Sequence, residues 1–365
     1  SFLENLVYDG TATYHQVASL NTSTHGYSSI TTRNDWQLIA YSDPYNNGIS
    51  VRFFNQGYWQ PDVFLPESEL ISGLCYRFAS STEYITYTTE SASGDSYLKL
   101  MHQGMGPWGD ETLAQIGSYQ IANIFDAAAR SDGSLGIVWW DNIDDVIKFG
   151  IFDTDGTFTV SEVVDDINIC HWVKLEFMAS DIPVIGYHNH VMGGDEEIKV
   201  AMNLGHGWAF EDVYSSSSID CVDMCMEPGA EFTTANWCFL IHSRSNYRCI
   251  NRDFPGWNSE TLSWSAITPA SEIKMEWNEA LNEFGVFLYA PDSFRIWFKT
   301  GRPSNATPTP YPTSTSTPNP PTPTPTPPPY PTNPPVNNTP TPSSCSELGV
   351  KIDMPGTSFN PGDIF

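Results

Sequence analysis

Positive charge is scarce in this chain: sixteen Lys and Arg stand against forty-three Asp and Glu among 365 residues, giving a formal net charge of −27 at pH 7. A surface of that sign repels polyanions, which excludes an electrostatic grip on nucleic acid or anionic lipid. Long apolar runs are missing too. No stretch of about 18 apolar residues occurs, so a membrane-spanning helix is excluded and no membrane insertion is expected. Cysteine is sparse. The seven residues Cys75, Cys170, Cys221, Cys225, Cys238, Cys249 and Cys345 are too few and too scattered for a disulfide scaffold, and no paired C-x-x-C zinc spacing occurs. The chain opens at Ser1 with neither an initiator Met nor a charged-then-apolar leader, so it reads as a processed or excised product whose export signal is already gone.

What is present is apolar and aromatic. Hydrophobic residues make up 40% and aromatics 13%, with only 16% charged, which is the composition of a packed β protein and not of an acidic disordered tail. The length suits one large domain with an appendage, or two ordinary domains. The composition changes abruptly at Pro303: of the 42 residues from Pro303 to Ser344, 17 are Pro and 11 are Thr, and none is charged. Such a tract favours extended polyproline II and acts as a semi-rigid spacer. Thr-Pro tracts of this kind are common in exported proteins. Residues 345–365 then alternate apolar and polar before a turn at Asn360-Pro361-Gly362-Asp363, like the first strand of a β-sandwich cut short.

Residues 1–302 are repetitive. An aromatic residue following Gly, directly or one position removed, closes a β-like run at Trp59, Trp108, Phe158, Trp208 and Trp257, with gaps of 49, 50, 50 and 49 residues. Upstream of these lie the apolar runs WQLIAYSD, YITYTT, LGIVWWD, PVIGYHN and CFLIHS, and a sixth, GVFLYA, follows. Each period holds an inner run, a central strand, a hairpin partner and an outer strand after the aromatic, which is one four-stranded antiparallel blade. Six such units predict an all-β, six-bladed β-propeller. The sixth lacks an outer strand before the Pro-rich tract, and residues 2–8 (FLENLVY) resemble the outer-strand segment Phe210–Tyr214. The N-terminal strand is therefore expected to close the last blade.

On these repeats, residues 1–302 resemble the six-bladed propellers of the sialidase-like and sugar-binding lectin class. The Asp-box of sialidase blades, Ser-x-Asp-x-Gly-x-x-Trp, is absent; Asp153-Thr154-Asp155-Gly156-Thr157-Phe158 has a different spacing. The segment 345–365 resembles the opening of bacterial immunoglobulin-like modules, and the resemblance as a whole implies a secreted or cell-surface protein.

Two constellations could carry chemistry. On the predicted inner strands, period two places Lys174 with Glu176 and Lys274 with Glu276 on one face, taken as the channel wall. These are either compensating charges or, with Asp141, acid and base groups for a glycoside hydrolase or lyase at the channel mouth. At the ends of the central strands, Asp43, Trp140, Asp141, Tyr187, His188, His190 and His242 occupy equivalent places and are expected to converge. Aromatic faces with Asp and His hydrogen-bonding groups suit a sugar. His188-Asn189-His190 puts two imidazoles on one side of a strand, but two ligands are too few and no third is signalled by His206 or Asp195, so no metal is expected. No cofactor motif, nucleophile elbow or ordered triad occurs, and Arg33, Arg77, Arg244 and Arg248 are spread over different blades.

Cys238 and Cys249 lie on paired strands, with Cys249 opposite Leu240 and diagonal to Cys238, so a slight change of register is expected to permit a bridge. Cys221 and Cys225 read as buried thiols. The leading functional expectation is a secreted or surface-displayed, non-catalytic propeller that binds a glycan or an extracellular protein. The enzyme is the alternative, and a self-associating subunit of an extracellular layer or fibre is a third reading.

Overall fold

A computed structural model describes residues 2–8, 12–19, 27–33, 36–43, 46–55, 58–60, 63–104, 106–118, 124–164, 170–190, 193–227, 237–243, 246–253, 256–262, 272–278, 283–290 and 295–300. The Pro/Thr tract and the segment 345–365 lie outside the described residues.

Among the described residues the regular elements are all strands. A hairpin of β1 (Phe2–Tyr8) and β2 (Ala12–Ser19) precedes the first sheet, which contains β3 (Ser28–Arg33), β4 (Trp36–Asp43), β5 (Gly48–Asn55), β6 (Tyr58–Trp59) and β7 (Val63–Pro66). The second sheet contains β8 (Leu70–Ala79), β9 (Thr82–Glu90), β10 (Asp95–Gln103) and β11 (Gly109–Ser118), and the third β12 (Phe125–Ala129), β13 (Leu135–Asp141), β14 (Val146–Phe152) and β15 (Phe158–Val164). The fourth contains β16 (Cys170–Phe177), β17 (Pro183–His190), β18 (Glu196–Asn203) and β19 (Trp208–Ser216), and the fifth β20 (Cys221–Met226), β21 (Trp237–Ser243), β22 (Asn246–Asp253) and β23 (Gly256–Leu262). The sixth contains β24 (Glu272–Asn278), β25 (Glu283–Ala290) and β26 (Arg295–Thr300). Sheets two to five are antiparallel in sequence order, as the repeat predicts, and the architecture is a six-bladed β-propeller.

The apolar runs became central strands because those strands are covered on both faces. Both β13 and β21 are buried along their whole length, so neither shows the alternation of a half-solvated strand. Separate cores fill the gaps between consecutive sheets: Leu38 and Ile49 meet Tyr76 and Ile85; Leu98 and Leu100 meet Ile137 and Trp139; Trp140 and Phe149 meet Ile185 and Tyr187; Val184 and Val200 meet Met224 and Phe239. Close approach requires Gly at the equivalent positions Gly136 and Gly186. A Cβ on Gly136 would stand 3.1 Å from Leu175 and clash with the ring edge of Phe177, and one on Gly186 would stand 3.0 Å from Met224 and Trp172.

Inner strands are latched by polar groups. The Tyr76 amide donates to Ser29 Oγ (2.9 Å), the Leu175 amide to Asp126 Oδ2 (3.0 Å) and the Met275 amide to Asp223 Oδ2 (2.7 Å), joining the first to the second, third to fourth and fifth to sixth sheets.

The N-terminal strand departs from expectation. β1 pairs with β2, from Phe2 opposite Ser19 to Tyr8 opposite Ala12, and among the described residues β26 pairs only with β25. A strand adjacent in sequence closes a far shorter loop than one at the other end of the domain, which favours the local partner. Cys238 and Cys249 form a disulfide across the diagonal at a Cα separation of 6.5 Å, with Cys249 opposite Leu240, so no register change is needed. Cys225 is buried on β20.

Candidate functional site

On the inner strands Lys174 is charge-compensated, but first by Asp126 and not by Glu176, the partner expected on its own strand; the side chains of Lys274 and Glu276 lie outside the described residues. Lys174 Nζ stands 3.8 Å from Asp126 of the third sheet, and Arg77 of the second donates to the same carboxylate (3.3 Å) and to the Ala127 carbonyl (2.6 Å). Burial alone would raise Asp126, but Lys174, Arg77 and the Leu175 amide hold it below the usual carboxylate range. Burial would likewise lower Lys174; Asp126, Asp223 and Glu176 outweigh it and hold the ammonium above its ordinary value. Glu176 is therefore one of three carboxylates around Lys174, sharing its strand but ranking behind those of the neighbouring sheets. Glu276 lies on β24 opposite Gly285.

The strand-end residues serve their own sheets. Asp43 Oδ1 and Oδ2 accept from the Asn46 amide (3.1 Å) and Nδ2 (2.6 Å), holding the β4–β5 turn. Asp141 caps the corresponding turn of the third sheet through the Ile143 amide (2.9 Å) and pairs with Lys148 Nζ (2.8 Å). Both Trp140 and Tyr187 are buried in the core between the third and fourth sheets, so neither offers an open ring face. Burial pushes the Tyr187 phenol up, with Asp212 adding to it. Buried His188 stands 3.3 Å from Glu196 Oε2, and the more exposed His190 stands 3.2 Å from Oε1. His242 is 1% exposed, with Nδ1 3.1 Å from Asp220 Oδ2. Asp43, Asp141, His188, His190 and His242 thus interact within their own sheet or with the adjoining connection, while Trp140 and Tyr187 pack between the third and fourth sheets.

A second repeated group lies on the third strand of five sheets: Arg52, Lys99, Lys148, Lys199 and Arg248, at spacings of 47, 49, 51 and 49. Its signal was present in the sequence as a basic residue between apolar neighbours in each hairpin partner, but it lies mid-strand, away from the strand ends where ligand groups were sought. Lys99 is held by Glu67 (3.1 Å) and Glu69 (3.0 Å), and Glu67 also accepts from Tyr87 Oη (2.9 Å). Lys148 is held by Asp141 and Asp144 (2.6 Å), and Lys199 by Glu197 (2.9 Å) and Asp212 (3.4 Å). Arg248 differs. Its guanidinium lies 5.6 Å from the ring centroid of Tyr214 on the fourth sheet and donates to Ser259 Oγ at 3.5 Å, with no carboxylate partner among the described residues. Between the same sheets, Arg252 pairs with Glu211, donating from Nη2 at 2.9 Å, and Trp257 Nε1 donates to Glu211 at 3.1 Å.

No family model matches the sequence, and no curated protein matches it. Solved structures do share its fold. AofleA from Arthrobotrys oligospora superposes with a TM-score of 0.51 at 10% identity, over 76% of this chain and 83% of that one. The fucose-specific lectin from Aleuria aurantia gives 0.50 at 12% identity, over 77% and 91% of the two chains, and its mutant in complex with alpha-methyl-L-fucoside gives the same values. At such identities the likeness establishes the propeller architecture.

Proposed function

We propose that this propeller is a non-catalytic glycan-binding protein, and that Arg248, Tyr214 and Ser259, between the fourth and fifth sheets, form a contact site for a neutral saccharide. The observation that carries the reading is the Arg248–Tyr214–Ser259 group itself: a guanidinium set over a partly buried aromatic ring and beside a hydroxyl, with no carboxylate partner among the described residues, which leaves donors for the oxygens of a sugar next to an aromatic surface. Solved lectins with a similar fold, one of them fucose-specific, agree with this class of ligand. The hydrolase reading gains no comparable support. Asp141 is buried and tied to turn amides and Lys148, and Glu176 contributes to the charge cluster around Lys174. Secretion, surface display and spacing by the Pro/Thr tract complete the proposal, resting on composition.

The test is a glycan array probed with the intact chain. The proposal expects neutral saccharides to be bound, and binding to fall about tenfold or more in Arg248→Ala while the melting temperature is kept. A blank array, or an Arg248→Ala protein that binds as well as the parent, overturns it.

A further inference from the structure

Four of the chain's eight histidines gather where the fourth sheet crosses to the fifth. His188 and His190 share one side of β17, and a register shift after Cys170 in β16 accompanies His171, whose ring lies 5.4 Å from that of His188 and 5.6 Å from that of His190. Opposite His190 stands Glu196, whose two oxygens face His190 Nδ1 and His188 Nε2. Glu196 Oε2 also accepts the Ile219 amide at 2.5 Å. Ile219 belongs to the crossover and is packed in the core between the two sheets. The next residue, Asp220, donates its amide to the His242 carbonyl (2.9 Å) and turns its carboxylate to His242 Nδ1, while Ser243 Oγ donates to the Ser218 carbonyl (2.6 Å). The crossover is thus held at one end by a carboxylate set among three imidazoles and at the other by a buried imidazole. Among the described residues no group of three or more His, Cys, Asp or Glu side chains is arranged to hold a metal ion, so these imidazoles are read as proton acceptors.

We propose that the crossover at residues 217–220 is a proton-operated clasp, closed while the imidazoles are neutral and loosened when acid loads positive charge onto a cluster that holds a single carboxylate at each end.

The sign follows from what surrounds each ring. Burial, reinforced by His171 and His190 and opposed by Glu196, pushes His188 down to about 4. His171 is lowered by burial and then by His190, against Glu196; His242 is lowered by burial, against Asp220, with the Tyr247 ring 4.6 Å away. On β16, burial pushes the neighbouring Cys170 thiol up to about 12, so it contributes no charge at these pH values. Glu197, beside Glu196, is occupied by Asn189 and Lys199. A histidine in an opened segment titrates near its ordinary value of about 6.5. Between that value and about 4, the opened crossover takes up protons that the closed one refuses. Closure is therefore complete above the window and progressively lost as pH falls through it.

Hydrogen–deuterium exchange of the intact chain at pH 7.5 and pH 5, corrected for intrinsic rates, tests this. Peptides covering 170–190, 216–222 and 237–243 are expected to lose roughly thirtyfold in protection at pH 5, the factor given by a group near 4 set against one near 6.5, while peptides over β13 and β14 keep theirs. In the double variant His171→Gln with His190→Gln, both at solvent-accessible positions, the two imidazoles beside His188 are gone and the loss should shrink, with the part due to burial of His188 remaining. Equal loss over every sheet, an unchanged loss in the double variant, or full protection at pH 5 each overturns the clasp.

Discussion

Asp126 joins three sheets through one carboxylate. Its carboxylate accepts the Leu175 amide, faces Lys174 and Arg77, and is held below the ordinary carboxylate range, so it adds stability that is present at neutral pH and lost as pH falls through that range. Asp126→Asn keeps the shape but leaves Lys174 with one fewer counter-charge in a buried setting. The expected cost is about 3–5 kcal/mol in urea melts at pH 7, with a shallower loss of stability between pH 5 and pH 2 than in the parent. Gly136 makes a different kind of demand. Gly136→Ala drives a methyl into Phe177 and against Leu175, and should cost about 1–3 kcal/mol by overpacking in the same melts. The sequence placed Lys174 and Glu176 on a common face by strand alternation alone. That Asp126, 48 positions earlier, ranks ahead of Glu176 depends on the approach of two sheets, which no local period encodes.

At the scale of the element, central strands were legible because burial on both faces leaves uninterrupted apolar runs, and LGIVWWD and CFLIHS became β13 and β21. The same double burial hid the roles of strand-end rings: Trp140 and Tyr187 were expected among the ligand groups, and packing between sheets puts them in the core. The N-terminal strand was misplaced because its pattern fits any antiparallel partner, while loop closure favours β2. The Cys238–Cys249 bridge ties β21 to β22 at a sequence separation of 11. Replacing both with Ser should lower stability by about 2–3 kcal/mol, read as a shift in thermal midpoint under non-reducing conditions. If reductant lowers the midpoint of the Ser variant as much as that of the parent, the bridge is not the element responsible.

For the whole molecule, net charge selects among ligands that the fold could otherwise accept. A formal charge of −27 repels sialylated or sulfated saccharides, so neutral glycans should bind in preference at low ionic strength, with the difference narrowing as salt screens the surface. Where a saccharide meets the propeller separates the lectin reading from the enzyme reading, since the first proposes contact at Arg248 and the second at the channel mouth. Isothermal titration calorimetry of the best-bound neutral saccharide against the parent, Arg248→Ala and Glu176→Gln decides between them. Binding weakened about tenfold or more by Arg248→Ala and unchanged by Glu176→Gln is the predicted result; binding abolished by Glu176→Gln and indifferent to Arg248→Ala would contradict it.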